Sequence, residues 1–299
     1  MGAGYFINAI CTPLTEDESL HSEGLAAHLA DQWEHGIDGV LVGGTMGMMQ
    51  LLRDSTYREL VQQSVELSAG KGEVLVGVGD TSYSRTRERI EFVNQFDLDG
   101  VVVLAPFFVS PTATQLVDYY KAVADVAKAP VYLYDLPALT RVDFSMDTYL
   151  QLQEHPNING AKISGRFAFT RQVRDQLDPE FRVIMAEPEI TDVLLHAGFQ
   201  ELLDGIYSFA PHWLKALREA AVAEDWEAAA EYQQRITRLR TMLAQFGNVM
   251  AVSSALLNIR GIPGKTHFRP SPALTDAQVA ELLQDPVGEA FAASSIKND

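Results

Sequence analysis

The sequence has few cysteines and few basic residues, and both shortages exclude whole classes of protein. Cys11 is the single cysteine among 299 residues, so the chain cannot form an internal disulfide, which is usual in a reducing cytoplasm. Lysine and arginine number 23 against 40 aspartate and glutamate residues, giving a formal net charge of −17. Such a negative surface repels phosphate backbones and anionic lipids, so we expect neither nucleic acid nor a membrane as a partner.

Long apolar runs and metal-binding patterns are also missing. No run approaches the roughly 18 to 20 apolar residues that a membrane-spanning helix requires. The first residues, MGAGYFINAICTPL, have no basic region before their short apolar run and do not resemble a secretory signal peptide. The seven histidines show no spacing typical of a metal site, so we predict no bound metal. Together these features favour a cytoplasmic protein.

Short apolar runs that alternate with amphipathic stretches dominate the rest of the sequence. Most of these runs are nearly continuous Val, Ile and Leu, which is typical of strands buried on both faces of a parallel sheet. The predicted strands cover 5–12, 38–43, 73–79, 100–105, 130–134, 157–163, 181–186 and 204–208. The predicted helices that follow them cover 23–35, 54–69, 84–96, 113–127, 145–154, 167–177, 189–197 and 211–223.

Eight such pairs in succession predict a (β/α)₈ TIM barrel, an α/β fold that typically needs about 250 residues. A doubly wound sheet is the main alternative, but it would usually carry a glycine-rich phosphate turn after the first strand. That strand is followed here by CTPLTEDESLH, which has no such turn. We therefore expect residues 1–223 to form the barrel. Residues 224–299 then form a C-terminal helical extension, with an alanine-rich stretch at 225–246 and helices near 249–257 and 275–283.

Lys162 is the lysine that lies within a predicted strand, at the end of NINGAKIS. The active site of a TIM barrel lies at the C-terminal ends of its strands. Burial there favours the neutral amine, which is a nucleophile able to attack a carbonyl group. The alternative is a lysine that closes the strand and extends to solvent.

Two further strand ends carry candidate groups. Tyr134, in PVYLYDLP, offers a phenol for proton transfer, although an aromatic residue at the barrel rim is the simpler interpretation. Gly43, Gly44 and Thr45 follow the second strand, where glycines allow close backbone approach and successive N–H groups can bind a carboxylate. A plain turn would have the same sequence. The three strand ends together make a stronger case than any one of them.

These segments resemble the dihydrodipicolinate synthase/N-acetylneuraminate lyase family of class I aldolases. AICTPLTEDESLH is similar to its opening strand and loop, GGTMGMMQLL to its carboxylate loop, YLYDLPALT to its Tyr-Asn-x-Pro motif and INGAKIS to its Gly-x-Lys strand. The resemblance implies a TIM barrel without metal or organic cofactor, commonly a homotetramer. It also implies that Lys162 forms the Schiff base, that Tyr134 relays protons and that Thr45 is its relay partner.

The sequence departs from the family's pattern at five positions near the expected mouth. Met46 replaces a second hydroxyl residue of the carboxylate loop, and Met48 replaces a glutamate. Phe107 and Phe108 replace a tyrosine pair, and Leu139 replaces an arginine that binds the aldehyde substrate's carboxylate in dihydrodipicolinate synthases. Losing that clamp removes a charge-assisted contact. Lysine biosynthesis is therefore a poor fit, and the mouth favours a less polar acceptor or a different keto acid.

Several charged residues near the expected mouth could either contact the substrate or be ordinary surface residues. Arg141 and Arg166 are near enough in sequence to supply positive charge, or they are ordinary rim residues. Glu187 either contacts a substrate hydroxyl or is a solvated strand end. Ser208 and His212 suggest a hydrolase, but no Gly-x-Ser-x-Gly elbow surrounds the serine. The predicted substrate contacts are Gly44, Met46, Phe108, Leu139, Arg141, Glu187 and Ser208.

The sequence thus predicts a pyruvate-dependent Schiff-base lyase that cleaves or forms a 2-keto-3-deoxy acid. The alternatives on the same scaffold are 4-hydroxy-tetrahydrodipicolinate synthase and a 2-keto-acid dehydratase. A remote alternative is a barrel that binds keto acids without catalysis, although Lys162 and Tyr134 argue against it. We expect a homo-oligomer, dimeric or tetrameric, with a small 2-keto acid such as pyruvate as its partner.

Overall fold

A computed structural model describes residues 4–296, in which eight parallel strands close into a barrel. Strands that follow one another in sequence pair with one another, and the eighth pairs with the first from Tyr5↔Glu201 to Asn8↔Asp204. The prediction of a TIM barrel is confirmed. The strands are β1 (Tyr5–Ala9), β2 (Gly39–Val42), β3 (Glu73–Gly77), β4 (Gly100–Leu104), β5 (Val131–Asp135), β6 (Ile158–Ser164), β7 (Arg182–Ala186) and β8 (Glu201–Asp204).

Helices cover the outside of the barrel and continue past its last strand. The helices between and after the strands are α1 (Ser22–Glu34), α2 (Asp54–Ser68), α3 (Tyr83–Val93), α4 (Ala113–Val126), α5 (Pro137–Thr140), α6 (Met146–Leu152), α7 (Phe167–Gln176), α8 (Thr191–His196) and α9 (Pro211–Val222). The C-terminal helices are α10 (Trp226–Leu243), α11 (Val249–Arg260), α12 (Asp276–Gln284) and α13 (Pro286–Ala293). Helix α13 was not predicted.

The predicted boundary at 223/224 falls between α9 and α10. The division into a barrel and an extension at that point stays a prediction. Residues 1–3 and 297–299 of the two predicted units lie outside the described residues. No helix within residues 4–296 is long and apolar enough to cross a membrane.

The nearly continuous apolar runs arise because each strand contributes to two cores. Successive side chains of a strand point to opposite faces. Leu41 of β2 therefore packs with Ile7 and Leu75 inside the barrel, whereas its neighbours Val40 and Val42 pack outward against the helices. Both layers exclude water, so every position of the strand is apolar.

The eighth strand lies earlier in the sequence than the prediction of 204–208. The register with β1 selects Glu201–Asp204, and Asp204 then accepts a 2.9 Å hydrogen bond from the Ile206 N–H. The next residues, Ile206–Ser208, form a 3₁₀ turn. The prediction was wrong because two apolar runs adjoin each other, and pairing with β1 decides between them.

The N-terminal end of the barrel is filled by a charged network. Arg182 donates to Glu73 at 2.6 Å, to Tyr132 at 2.9 Å and to Glu201 at 2.8 Å. The bidentate geometry of the guanidinium satisfies carboxylates from β3 and β8 at once. The cavity described below therefore opens at the opposite, C-terminal end of the strands.

Candidate active site

Lys162 points into the barrel from β6. Its neighbours Ala161 and Ile163 pack outward, so the alternation of the strand turns the lysine inward. The residue is 3% exposed. Its Nζ donates a 3.0 Å hydrogen bond to the hydroxyl of Tyr134, which is its direct pairing partner on β5. The alternative of a lysine that extends to solvent does not match this position.

The hydroxyl of Tyr134 also contacts Thr45, at 3.1 Å from its Oγ1. Thr45 follows β2 in a turn that begins at Gly43, whose φ of +59° is a conformation that favours glycine. A Cβ on Gly44 would come within 2.9 Å of the Leu41 side chain, which would have to move to admit a larger residue. The result is a continuous hydrogen-bonded series of amine, phenol and hydroxyl that can move a proton between strands β6, β5 and β2.

This series lies in a cavity of about 770 Å³ at the C-terminal ends of the strands. Its lining combines apolar and polar side chains. The apolar ones include Met46, Met48, Leu51, Phe107, Leu136 and Leu139, and the polar ones include Ser164, Glu187, Glu189, Asp204 and Arg240. The cavity therefore offers the Lys162 amine together with both apolar and charged surface for the remainder of a ligand.

Three of the predicted substrate contacts lie in this cavity, and four lie elsewhere. Met46, Leu139 and Glu187 line it together with the catalytic candidates. Gly44, Phe108, Arg141 and Ser208 are not part of its lining.

Each of these four has a different position. Phe108 is 85% exposed, and its neighbour Phe107 faces the cavity instead. Arg141 is exposed at the end of α5 with a φ of +55°. Ser208 is fully buried and donates to the Gly205 carbonyl at 2.8 Å. Gly44 shapes the turn behind Thr45.

Neither Arg141 nor Arg166, the two arginines that the sequence suggested as replacement charges, lines the cavity. Arg166 lies 3.4 Å from Asp135 and 3.5 Å from Asp143, with its guanidinium over the Phe169 ring. Arg240 of α10 lines the cavity in its place. Sequence reasoning missed Arg240 because no local motif marks it and it belongs to the helical extension.

Two carboxyl groups of the cavity are shifted toward their protonated forms. Burial, and then the charge of Glu189, raises the pKa of Glu187. Burial likewise raises the pKa of Asp204, while the positive charge of Lys162 acts in the opposite direction. Carboxyl groups of this kind can exchange hydrogen bonds with substrate hydroxyls in either protonation state.

Asp135, immediately after Tyr134, is a buried acid on the outer side of β5. It accepts a 2.9 Å hydrogen bond from the Tyr149 hydroxyl and lies beside Arg166. Burial raises its pKa to about 6 despite both contacts. Between pH 4 and pH 6 the folded state therefore holds a proton that the unfolded state has released, and stability falls as the pH rises through this window.

We expect Asp135→Asn to stabilise the protein at neutral pH. The amide keeps the acceptor for Tyr149 and removes the cost of a buried charge, which the pKa shift places at about 1–3 kcal/mol. Urea unfolding at pH 5 and pH 7.5 measures the effect. The gain should be larger at pH 7.5, and equal or lower stability of the variant there would contradict this account. Exposed Asp147→Asn serves as the control.

Comparisons with known proteins agree with this site. Residues 3–285 match the model of the dihydrodipicolinate synthetase family. The chain is 29% identical to 4-hydroxy-tetrahydrodipicolinate synthase of Stenotrophomonas maltophilia, over 87% of this chain and 88% of the relative. It is 27% identical to N-acetylneuraminate lyase of Rhizobium meliloti, over 93% and 92% of the two chains.

A solved structure gives the same result. YagE, a prophage protein of the dihydrodipicolinic acid synthase family from E. coli K12 in complex with pyruvate, superposes with a TM-score of 0.86. The two chains are 26% identical, and the match covers 94% of this chain and 97% of that one. The chain therefore belongs to the dihydrodipicolinate synthetase family, whose members are class I aldolase-type lyases.

Proposed function

We propose that the protein is a pyruvate-dependent Schiff-base aldolase that cleaves or forms a 2-keto-3-deoxy acid, with Lys162 as its nucleophile. The hydrogen-bonded series of Lys162, Tyr134 and Thr45 inside the cavity is the observation that carries this proposal. The structure of the relative YagE in complex with pyruvate supports pyruvate as the small keto acid. We assign the donors for its carboxylate to the Thr45 hydroxyl and the neighbouring backbone amides, since Thr45 and Met46 line the cavity.

Imine formation uses the first two members of the series. The Lys162 amine attacks the C2 carbonyl carbon and forms a carbinolamine. The Tyr134 hydroxyl, 3.0 Å away, protonates the departing water and becomes a phenolate. The product is a protonated imine whose positive nitrogen can accept an electron pair from the adjacent carbon chain.

Carbon–carbon cleavage uses that electron sink. The phenolate of Tyr134 takes the C4 hydroxyl proton, the C3–C4 bond breaks, and its electron pair forms the enamine. The C4 fragment leaves as an aldehyde. Tyr134 then returns the proton to C3, and water hydrolyses the protonated imine to pyruvate and the free amine. The proton released in this hydrolysis returns to the Tyr134 phenolate and restores the phenol. Thr45 orients the phenol through its 3.1 Å contact.

A second candidate on this scaffold is 4-hydroxy-tetrahydrodipicolinate synthase, the name carried by the relative from S. maltophilia. The wall of the cavity argues against it. Leu139, in the place of that enzyme group's carboxylate-binding arginine, contributes apolar surface there. A 2-keto-acid dehydratase shares the same imine and differs in losing water instead of the aldehyde.

Pyruvate release from a panel of 2-keto-3-deoxy acids tests the proposal. We expect at least one acid to yield pyruvate, and we expect borohydride with pyruvate to fix one adduct on Lys162 by peptide mass mapping. Condensation of pyruvate with aspartate semialdehyde instead would establish the synthase. An adduct without turnover of any acid would favour the non-catalytic barrel, and a failure to trap any adduct would refute the imine altogether.

We also propose that the enzyme works as a cytoplasmic homo-oligomer. The loop after β4 presents Phe108 and Val109 side by side, 85% and 72% exposed, and a second copy of the chain would remove this apolar surface from water. The single cysteine, Cys11, is buried and suits a reducing compartment.

Light scattering after gel filtration measures the assembly. We expect a dimer or tetramer for the native chain and a shift toward smaller species for Phe108→Asp. The matched control is Val222→Asp, which places the same charge at an exposed apolar residue of α9. A monomeric native chain, or an assembly that Phe108→Asp leaves intact, would contradict the proposal.

A further inference from the structure

One cation in the cavity comes from outside the barrel. Arg240 lies in the last turn of α10, and its side chain lines the cavity with Leu243 of the same helix. Among the described residues that line the cavity, Lys162 and Arg240 carry the two positively charged side chains. Since Lys162 forms the imine with the keto group, Arg240 is the cation that is left to bind the other end of the substrate.

The guanidinium of Arg240 is positioned but retains unused donors. Its Nε lies 3.3 Å from Glu189 Oε1, and both side chains are about half exposed. A guanidinium has five N–H donors, so an ion pair through Nε leaves the two terminal nitrogens available. Those nitrogens match the geometry of a carboxylate or a phosphate.

The charge of Arg240 acts inside the cavity as well as at its rim. Burial raises the pKa of Asp204 at the end of β8, and the charges of Lys162 and Arg240 both oppose that rise. Asp204 lines the same cavity. The two cations therefore contribute to the potential in one space, the first at the reactive centre and the second toward the extension.

An anionic substrate needs such a local cation, because the chain's net charge of −17 opposes its approach. The β5 loop does not supply one, since Leu139 is apolar there. Arg141 and Arg166, the other candidates near this loop, are absent from the lining. Arg240 meets the requirement from α10.

We infer that Arg240 binds an anionic group, a carboxylate or a phosphate, at the end of the substrate remote from the keto acid. The substrate is then a 2-keto-3-deoxy acid with a second negative group. This inference rests on the proposed function. Glu189 holds the guanidinium through Nε while the terminal nitrogens bind the substrate anion.

Three substrates of equal chain length test the inference: 2-keto-3-deoxygluconate, its 6-phosphate and the corresponding C6 carboxylic acid. We expect the native enzyme to prefer one of the two anionic substrates, and its choice distinguishes carboxylate from phosphate. Arg240→Met should lower kcat/KM for that substrate about 10- to 100-fold, as expected for losing a charged hydrogen bond. The neutral-ended substrate should change less than about 3-fold, and Arg240→Lys should recover part of the loss.

Arg238→Met is the matched control on the same helix. Arg238 is as exposed as Arg240, 48% against 47%, and it pairs with Asp285 away from the cavity. This variant should leave the ratio between substrates unchanged. If native enzyme prefers the neutral-ended acid, or Arg240→Met lowers all three rates equally, the inference is overturned.

Borohydride trapping with pyruvate separates this result from the proposed function. A Lys162 adduct in the native protein and in Arg240→Met, without selective loss of rate, overturns the role of Arg240 alone. Absence of the adduct in the native protein overturns the proposed function and this inference together.

Discussion

Replacing Lys162 with methionine is expected to lower kcat/KM by about 10⁴- to 10⁶-fold, the usual cost of deleting a nucleophile. Methionine keeps an unbranched side chain of similar length and removes the amine that forms the imine. The borohydride adduct with pyruvate should disappear from the β6 peptide. Tyr134→Phe should lower the rate about 10²- to 10⁴-fold, because it removes proton transfer and leaves the amine in place.

The same Lys162 variant should fold at least as well as the native chain. Lys162 is 3% exposed and its Nζ donates to Tyr134, but any N–H of the buried amine that lacks a partner costs free energy, and methionine has no such group. We expect the free energy of unfolding of Lys162→Met to be unchanged or higher by about 1–2 kcal/mol. An inactive variant that is also strongly destabilised would mean that Lys162 has a structural role, so urea unfolding must accompany the rate measurement.

His28 and His212 should lower the stability when the pH drops from 6.5 toward 4, whereas Asp135 acts in the opposite direction between pH 6 and pH 4. His28 of α1 is fully buried and its Nε2 accepts the Cys11 N–H at 3.3 Å, and burial lowers its pKa to about 4. In the unfolded chain His28 binds a proton as the pH falls below about 6.5, whereas in the folded chain it stays neutral until about pH 4. The free energy of unfolding therefore decreases below pH 6.5. For His28 the loss approaches about 3 kcal/mol at pH 4.

His212 of α9 adds to this loss. Burial lowers its pKa to about 3, and its ring packs 5.8 Å from that of His35. His35 contributes in the opposite sense, because its hydrogen bond to Asp31 raises its pKa. The stability that His35 contributes is lost as the pH rises above 6.5. This window is separate from the one in which His28 and His212 lower the stability at acidic pH.

Charges of both signs lie near His28 and His212. The lowering of their pKa values therefore follows from burial rather than from one charged partner. Asp31 and Arg260 form a buried ion pair at 2.6 Å beside them and act on His28 in opposite directions. Arg260, His35 and Arg235 disfavour the charged form of His212, whereas Asp31 favours it.

Urea unfolding at pH 7.5, 6 and 5 measures the acid sensitivity. We expect His28→Gln, which retains an acceptor for the Cys11 N–H, to flatten the dependence on pH. Exposed His196→Gln should leave it as in the native chain. If His28→Gln shows the same dependence on pH as the native chain, His28 is not held neutral in the folded state.

The three predicted catalytic residues could be identified from the sequence because their positions follow from the geometry of the strands. Lys162, Tyr134 and Thr45 stand at the ends of strands, and the ends of parallel strands in a barrel meet at one mouth. Once the strands are recognised, their proximity does not depend on the details of packing. Their roles stay proposals, but the hydrogen bonds between them were predictable in kind.

The predicted substrate contacts stay predictions, and the packing of loops decides which of them line the cavity. Phe108 was chosen from its motif, yet the loop after β4 turns it outward and Phe107 inward. Ser208 was chosen as a strand-end residue, but β8 ends at Asp204 and the serine turns into the protein. A one-residue difference in a loop reverses which side chain faces the cavity, and sequence patterns do not resolve it.

The sequence by itself determined the barrel and the strands that carry the Lys162 amine and the Tyr134 phenol. It did so because the two-residue alternation and the succession of strands are local properties that the chain repeats eight times. Only the tertiary structure decided which cation completes the cavity. Arg166 is bound to Asp135 and Asp143, whereas Arg240 reaches the mouth because α10 packs back onto the barrel. Contacts between such distant segments depend on the packing of whole elements, which no local pattern encodes.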